Sequence, residues 1–386
     1  MYKRHLMFYA FFRPLVRVYL FLKFGYRCDI AKNLMGNYIV LSNHVTDFDP
    51  LFVGASFPRQ MYFVASEHIA RWKYAYKFLK YGFAPIIRNK GTTATATVME
   101  MLRMVKKGSN VCMFAEGARS WDGVTAPILA STGKVVKSAR CGLVTYRIQG
   151  GYFVSPNWSE GGTRKGSIYG KVVNVYTKEQ LAKMTVEEIN EIITRDLHED
   201  AYERQLKASS CYKGKNLAVR MENLLFCCPK CGAMDTIHSQ RNTVACRECG
   251  MSFQYTEYGM LEGIEQMTVK ELFAWQKERV HKDATEHAVY TASFGSLKKL
   301  SQHEEELIGE GAVRLDENGI SCGKVTILLE DIQDMAMHGR RALVFSTKDT
   351  YYELVPAEGE NTLKFHMLYQ IYKEGALTQY DGRIRK

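Results

Sequence analysis

The sequence predicts an α/β protein with a mostly parallel sheet flanked by helices, extended by a small cysteine-knuckle module and a β-rich C-terminal region. Three observations predict it. Short apolar runs alternate with longer helical segments up to about residue 205. Two Cys-x-x-Cys pairs lie beyond the middle of the chain. Short strand-like runs separated by Gly and Asn turns fill much of the last hundred residues. At 386 residues the chain is too long for one typical core. We divide it into an N-terminal helix (1–28), an α/β domain (29–220), the knuckle module (221–262), and a linker helix with the β-rich region (263–386).

The first 28 residues carry six Lys or Arg and no acid, interleaved with Phe, Leu, Met and Val. No uninterrupted apolar run reaches the roughly 18 residues that span a bilayer, and no cleavage-site pattern follows. Cations among aromatics and Leu fit a helix lying in the membrane interface against anionic headgroups; a helix packed on the protein's own core is the plainer alternative, and a single spanning helix the lesser one. Buried strands are expected at 38–42, 61–65, 83–87 and 110–114, with further strands at 142–148 and 167–176. A helix is expected over 92–107, capped by Thr92 or Thr93 and ended by Gly108. The capping box Thr185-x-x-Glu188 opens a polar helix running to about residue 205, and residues 209–226 connect it to the knuckles. A second box, Thr268-x-x-Glu271, starts a helix toward His281. Strand-like runs follow at 310–315, 324–329, 341–346 and 350–355, then a helix over 361–374. Strands followed by one helix loosely resemble a pleckstrin-homology module.

Charge is unevenly distributed. Residues 1–220 hold 33 Lys and Arg against 16 Asp and Glu, and residues 221–386 hold 19 against 25. The first part therefore suits an anionic partner such as lipid, coenzyme A or nucleic acid. The ten cysteines do not form a disulfide framework and fit a reducing compartment.

Asn43-His44-Val45-Thr46-Asp47-Phe48-Asp49-Pro50 follows directly on an expected strand. Residues five apart lie about 140° around a helix, so His44 and Asp49 meet only if the segment between them turns. The pair can then act as a dyad, with His44 the general base and Asp49 holding its tautomer. The plainer alternative makes Asp49 a helix cap and His44 a turn residue. Phe114-Ala115-Glu116-Gly117-Ala118-Arg119-Ser120 also follows a strand, as do Arg88 and Lys90 after Ile86-Ile87. Ligands in open α/β sheets bind at such carboxyl ends, where Arg grips phosphate in a fork and Gly lets backbone approach.

These blocks together resemble the glycerolipid acyltransferase family, whose best-known members are the 1-acyl-glycerol-3-phosphate acyltransferases. The resemblance rests on Asn43-His44-x4-Asp49, Gly82-x3-Ile86-x-Arg88 and Phe114-x-Glu116-Gly117-x-Arg119-Ser120, and spans roughly residues 1–205. It implies His44 as general base with Asp49 as its partner. Arg88, Arg119 and Ser120 would hold the acceptor's phosphate in a loop shaped by Glu116 and Gly117. It implies an acyl donor carried by coenzyme A or acyl carrier protein, a lysophospholipid acceptor, no catalytic cofactor, and work at the cytoplasmic face of a membrane. Two departures stand out. Ala118 replaces the family's usual Thr, and the stretch Leu143–Ile148 lacks the Pro of the fourth block.

Cys228-x-x-Cys231-Gly232 and Cys246-x-x-Cys249-Gly250 are matching knuckles with 14 residues between them. Four thiolates suit a closed tetrahedral zinc site, which is structural because no position stays open. The leading reading is thus an enzyme that moves a fatty acyl group from acyl-CoA or acyl-ACP to the free hydroxyl of 1-acyl-glycerol-3-phosphate in phospholipid synthesis. Another lysolipid or glycerol-3-phosphate is the alternative acceptor. A zinc-ribbon nucleic-acid-binding protein is the alternative of another class. The knuckles lie in the acidic part and lack stacked aromatics with basic residues, which argues against nucleic acid as partner. A non-catalytic membrane adaptor is a third reading, opposed by the presence of both His44 and Asp49.

Overall fold

The computed structural model describes residues 2–66, 73–88, 95–301, 305–375 and 377. The chain opens with helix α1 (Tyr2–Phe24), then strand β1 (Tyr26–Cys28), β2 (Tyr38–Ser42), α2 (Asp49–Ser56), β3 (Met61–Ser66), α3 (Lys73–Gly82) and β4 (Ile86–Arg88). Helix α4 (Thr95–Lys106), β5 (Asn110–Phe114), α5 (Ser131–Ala139), β6 (Gly142–Gln149), α6 (Gly151–Val154) and β7 (Ile168–Tyr176) follow. Three helices, α7 (Lys178–Lys183), α8 (Val186–Leu197) and α9 (Ala201–Ala208), end this part.

The seven strands form one sheet in the order β1-β7-β6-β2-β5-β3-β4. Every neighbouring pair is parallel except β6 with β7. Side chains alternate across a strand, and both faces of the central strands are covered, so these strands read as continuous apolar runs. On one face Ile39, Leu41, Val111 and Leu143 pack with Met101, Val105, Val136, Ile189 and Ile193 from α4, α5 and α8. On the other, Val40, Cys112, Val144 and Tyr146 pack with Leu20 and Phe24 of α1 and Phe52 and Val53 of α2.

Several expectations shift by local chemistry. The strand expected at 83–87 begins only at Ile86. The turn of α3 runs on until the Ala84 N–H reaches the Leu79 carbonyl, Ala84 adopts φ +44°, and Pro85 has no N–H for a ladder. The helix expected over 92–107 is described from Thr95; Lys90, Thr92 and Thr93 lie outside the described residues. The helix expected from Thr185 to about 205 is two helices. The first keeps its capping box, and Asp200 caps the second by accepting the N–H groups of Tyr202 and Glu203 at 3.0 Å each.

Helix α1 is long and apolar enough to cross a membrane by length and composition, among the described residues. The expectation built on unbroken apolar runs misses this because isolated cations interrupt the runs. One side of α1 packs on the sheet domain: Tyr9 donates to the Gly54 and Phe57 carbonyls at 2.8 and 3.0 Å, and His5 meets the Tyr62 hydroxyl at 3.0 Å. The other side exposes Met7, Phe11, Leu15, Val18 and Leu22.

Strands β8 (Ile237–Gln240), β9 (Thr243–Cys246), β10 (Ser252–Tyr255) and β11 (Leu261–Glu262) make a small antiparallel sheet around the knuckles. Helix α10 (Val269–Thr285) leads to β12 (Tyr290–Leu300), β13 (Glu305–Leu315), β14 (Gly319–Cys322), β15 (Val325–Leu328), β16 (Asp334–His338), β17 (Ala342–Ser346) and β18 (Tyr351–Pro356). These strands form an antiparallel sheet in the order β15-β14-β13-β12-β18-β17-β16, and α11 (Leu363–Glu374) follows. Strands β12, β14 and β16 go beyond the runs read from sequence.

The regions share buried surface. Arg164, from the β6–β7 connection, is buried and donates to the Phe153 carbonyl and the Tyr255 hydroxyl, both at 3.3 Å. Trp158 stacks edge-on against Tyr255 with centroids 5.5 Å apart. Buried Gln276 of α10 accepts the N–H groups of Phe226 and Cys227 at 2.9 and 3.2 Å. Lys364 of α11, also buried, pairs with Asp235 between the knuckles. One apolar cluster runs from Leu20 through Trp158 and Tyr255 to Leu377.

Candidate active site and metal centre

Strands β2 and β5 are adjacent and parallel, so the loops after them open at the same sheet edge. Asn43 extends β2 by one residue: its side-chain amide exchanges two hydrogen bonds with the Ile148 backbone, at 2.9 and 2.8 Å. The chain then turns sharply around a carboxylate. Buried Asp49 accepts the N–H groups of Val45 at 2.6 Å and Thr46 at 3.0 Å, and the Thr46 hydroxyl at 2.7 Å. Helix α2 starts at Asp49 itself, with Phe48 as its cap and Pro50 in the first turn.

This turn brings the His44 ring to Asp49, with Nδ1 2.8 Å from Oδ2. A carboxylate only accepts hydrogen bonds, so Nδ1 is the donor here, and in the neutral ring Nε2 then carries the lone pair. The ring stacks on Phe114 at the end of β5, centroids 4.5 Å apart and 21° from parallel. Its side chain is 23% exposed, whereas Asp49 is fully buried.

The 114–120 loop grips His44 from both sides. Glu116 Oε1 accepts the His44 N–H at 2.6 Å, and the Ser120 N–H donates to the His44 carbonyl at 3.2 Å. Glu116 Oε2 accepts the Ala126 N–H at 2.7 Å. Burial pushes the Glu116 carboxyl well above the usual carboxylate range, against these two hydrogen bonds. Gly117 has φ +74°, a left-handed turn that other residues enter at a cost. A Cβ there would stand 3.6 Å from Arg88 Nη1, so the end of β4 faces this turn.

Arg119 is nearly buried. It donates to Asp47 at 2.7 Å and to the Ser155 carbonyl at 2.8 Å. The Nε atoms of Arg88 and Arg119 are buried with no hydrogen-bond partner among the described residues. Buried groups of this kind are costly when unpaired. Ser120, expected to touch a phosphate, is buried, and its hydroxyl accepts the Gly123 N–H at 2.8 Å. The structure thus brings His44, Asp49, Glu116, Gly117, Arg119 and Ser120 together, with Arg88 beside Gly117. Sequence reasoning missed Asp47 as the partner of Arg119, although it lies inside the His-to-Asp block. It also missed Ser155 and Asn157, which carry no signal in sequence.

A mostly parallel α/β sheet thus carries Asn-His-x4-Asp after one strand and Glu-Gly-x-Arg-Ser after its neighbour. Residues 27–149 match the family model described as Acyltransferase. The three sequence blocks that resemble the glycerolipid acyltransferases all lie inside this matched segment. Among solved structures, it is similar to the 1-acyl-sn-glycerophosphate (LPA) acyltransferase PlsC from Thermotoga maritima. Identity is 17% and the TM-score 0.42, over 53% of this chain and 80% of that one. A second similarity is to the N-terminal PH domain of human ARAP2, with 21% identity and TM-score 0.19, over 23% of this chain and 84% of that one. No curated protein matches this chain.

The four knuckle cysteines form a separate cluster, their sulfurs all within 4.8 Å of one another. Cys228 and Cys249 lie 3.7 Å apart, and Cys231 and Cys246 lie 3.8 Å apart. Sulfurs about 2.3 Å from a tetrahedral zinc stand roughly 3.8 Å from each other, so the set fits that metal. Gly232 and Gly250, both at positive φ, close the two knuckles by donating to the Cys228 and Cys246 carbonyls at 2.9 and 3.1 Å. Cys227 points elsewhere, donating to the Gly232 carbonyl at 3.3 Å.

Proposed function

We propose that the protein transfers a fatty acyl group from an acyl thioester of coenzyme A or acyl carrier protein to the free hydroxyl of a 1-acyl-glycerol-3-phosphate. The observation that carries this reading is the His44–Asp49 pair, its ring partly exposed, at a sheet edge with Arg88 and Arg119. His44 Nε2 removes the proton of the acceptor hydroxyl as that oxygen attacks the thioester carbonyl. The carbonyl carbon gains the new C–O bond, the C–S bond breaks, and the departing thiolate takes the proton back from Nε2. Asp49 holds the ring and offsets its transient charge. Arg88 and Arg119 hold the acceptor's phosphate, where a dianion would replace the exposed Asp47 carboxylate on Arg119. Ser120 holds the loop by accepting the Gly123 N–H, which leaves its O–H proton able to reach the phosphate beside Arg119. Glu116 and Gly117 shape the same loop.

In this reading α1 lies in the membrane interface at the cytoplasmic face, with its exposed apolar side in the lipid and its cations toward anionic headgroups. The packing of His5, Tyr9, Leu20 and Phe24 on the domain favours this over an independent span. The four cysteines hold a structural zinc, and the acyl transfer itself uses no cofactor.

An assay of the purified protein against a panel of lysolipids and acyl thioesters tests the reading. Turnover is expected with a lysolipid bearing phosphate and is expected to vanish in His44→Ala, with the protein still folded by circular dichroism. An active His44→Ala protein would rule out this base.

A further inference from the structure

The loop between β16 and β17 reaches from the C-terminal sheet to the edge of the acyltransferase site. Gly339, at φ +67°, turns it. Arg340 Nε then donates to the Asn157 carbonyl. Two residues earlier, the Ser155 carbonyl accepts Arg119 Nη2 at 2.8 Å. Two residues of chain span at most about 7 Å, so both guanidinium groups hang from one short segment. The Asn157 side chain ties them further by donating to the Arg119 carbonyl at 3.5 Å. Neighbouring Arg341 pairs with Glu160 at 2.8 Å, which also pairs with Arg220 at 3.4 Å, and this fixes the hairpin in position.

Arg340 is half-buried, and no carboxylate lies within ion-pair distance of it among the described residues. Burial, then the Arg119 cation, lowers its pKa from the ordinary arginine value, and Asp47 and Glu160 oppose this. Two like charges held together and partly dried are unfavourable until an anion joins them. Among the described residues the only carboxylate bound to Arg119 is Asp47, whose side chain is 66% exposed and open to displacement.

We propose that Arg340 is a substrate-binding residue that, with Arg119, holds the phosphate of the lysolipid acceptor, so that the C-terminal module completes the acyltransferase site. The proposal rests on the acyl-transfer reading above. A phosphate bridging the two guanidinium groups would gain charge-assisted hydrogen bonds from both. The competing explanation is that the hairpin merely docks the module, a task in which Arg341 has the larger ion-pair share.

Steady-state kinetics of the full chain separates the two. Losing one such contact is expected to raise the KM for 1-acyl-glycerol-3-phosphate about tenfold in Arg340→Ala, with the donor KM unchanged. Arg340→Lys should recover part of the loss, and Arg341→Ala should leave the acceptor KM near wild type. With a monoacylglycerol, which lacks phosphate, Arg340→Ala should match the wild type. An unchanged acceptor KM, the same rise in Arg341→Ala, or the same rise with monoacylglycerol would overturn the proposal. Calorimetric binding of glycerol 3-phosphate gives a readout apart from turnover. Weaker binding by Arg340→Ala supports the anion site even if lysophosphatidate is not a substrate, and equal binding by both proteins overturns it.

Discussion

Glu116 accepts the backbone N–H of His44 at 2.6 Å, so the loop after β5 sets the position of the residue after β2. Its other oxygen holds Ala126 at 2.7 Å. A glutamine has one accepting end and one donating end, and cannot serve two N–H groups. Glu116→Gln is therefore expected to lower kcat by about tenfold or more, the scale of one buried group left unpaired. Kinetics at saturating donor and acceptor checks this, and a wild-type kcat would dismiss the positioning role.

Metal analysis should return about one zinc per chain, since one closed tetrahedral site accounts for the four thiolates. Cys231→Ser should lose the metal and lower the melting temperature. Gln276 and Lys364 anchor neighbouring helices to the knuckle region, so the loss should reach beyond it. A metal-free protein with unaltered melting would remove the zinc centre.

Phe11 and Leu15 are 65% and 54% exposed on the outer side of α1. Each apolar side chain of this size contributes roughly 2 kcal/mol when moved out of water. The double variant Phe11→Glu, Leu15→Glu should shift the protein from vesicles of anionic lipid to the soluble fraction in flotation. Undiminished flotation would exclude this helix as the anchor.

Asp196 is buried and accepts hydrogen bonds from Thr145, Asn174, Tyr176 and Arg195. Burial alone would raise its pKa, but these bonds outweigh it and the net shift is downward. A depressed carboxyl contributes stability above its unfolded pKa of about 3.9, and loses it as pH falls through the lower folded value. Asp196→Asn should thus be destabilised at neutral pH, with the gap to wild type closing below about pH 4. Denaturant titrations at pH 7 and pH 3 measure it; a gap of equal size at both would contradict the electrostatic account.

The parts of the fold that follow from local pattern were readable in the sequence. The parallel strands announce themselves as apolar runs because both faces of β2 and β5 are covered. The Thr185 and Thr268 capping boxes are three-residue signals and form as expected. The His44–Asp49 turn was readable because both partners lie within six residues. What was hidden depends on distant partners. That Ser120 also accepts the Gly123 N–H, and so shapes the loop, is not readable from its place in the block. Strand β12 was missed because its outer residues alternate with Gly and Lys, and its place is set by pairing with β13 and β18. Arg340 is one cation among many, and only the tertiary fold carries it 183 positions along the chain to Asn157.

The buried cluster that begins in α1 and runs through Trp158 and Tyr255 into the last helix has a consequence for cooperativity. Units that share side chains cannot loosen separately without baring aromatic surface to water. Heat should then take this polypeptide apart in a concerted step, and removing its C-terminal half would leave the N-terminal half with an uncovered, sticky flank.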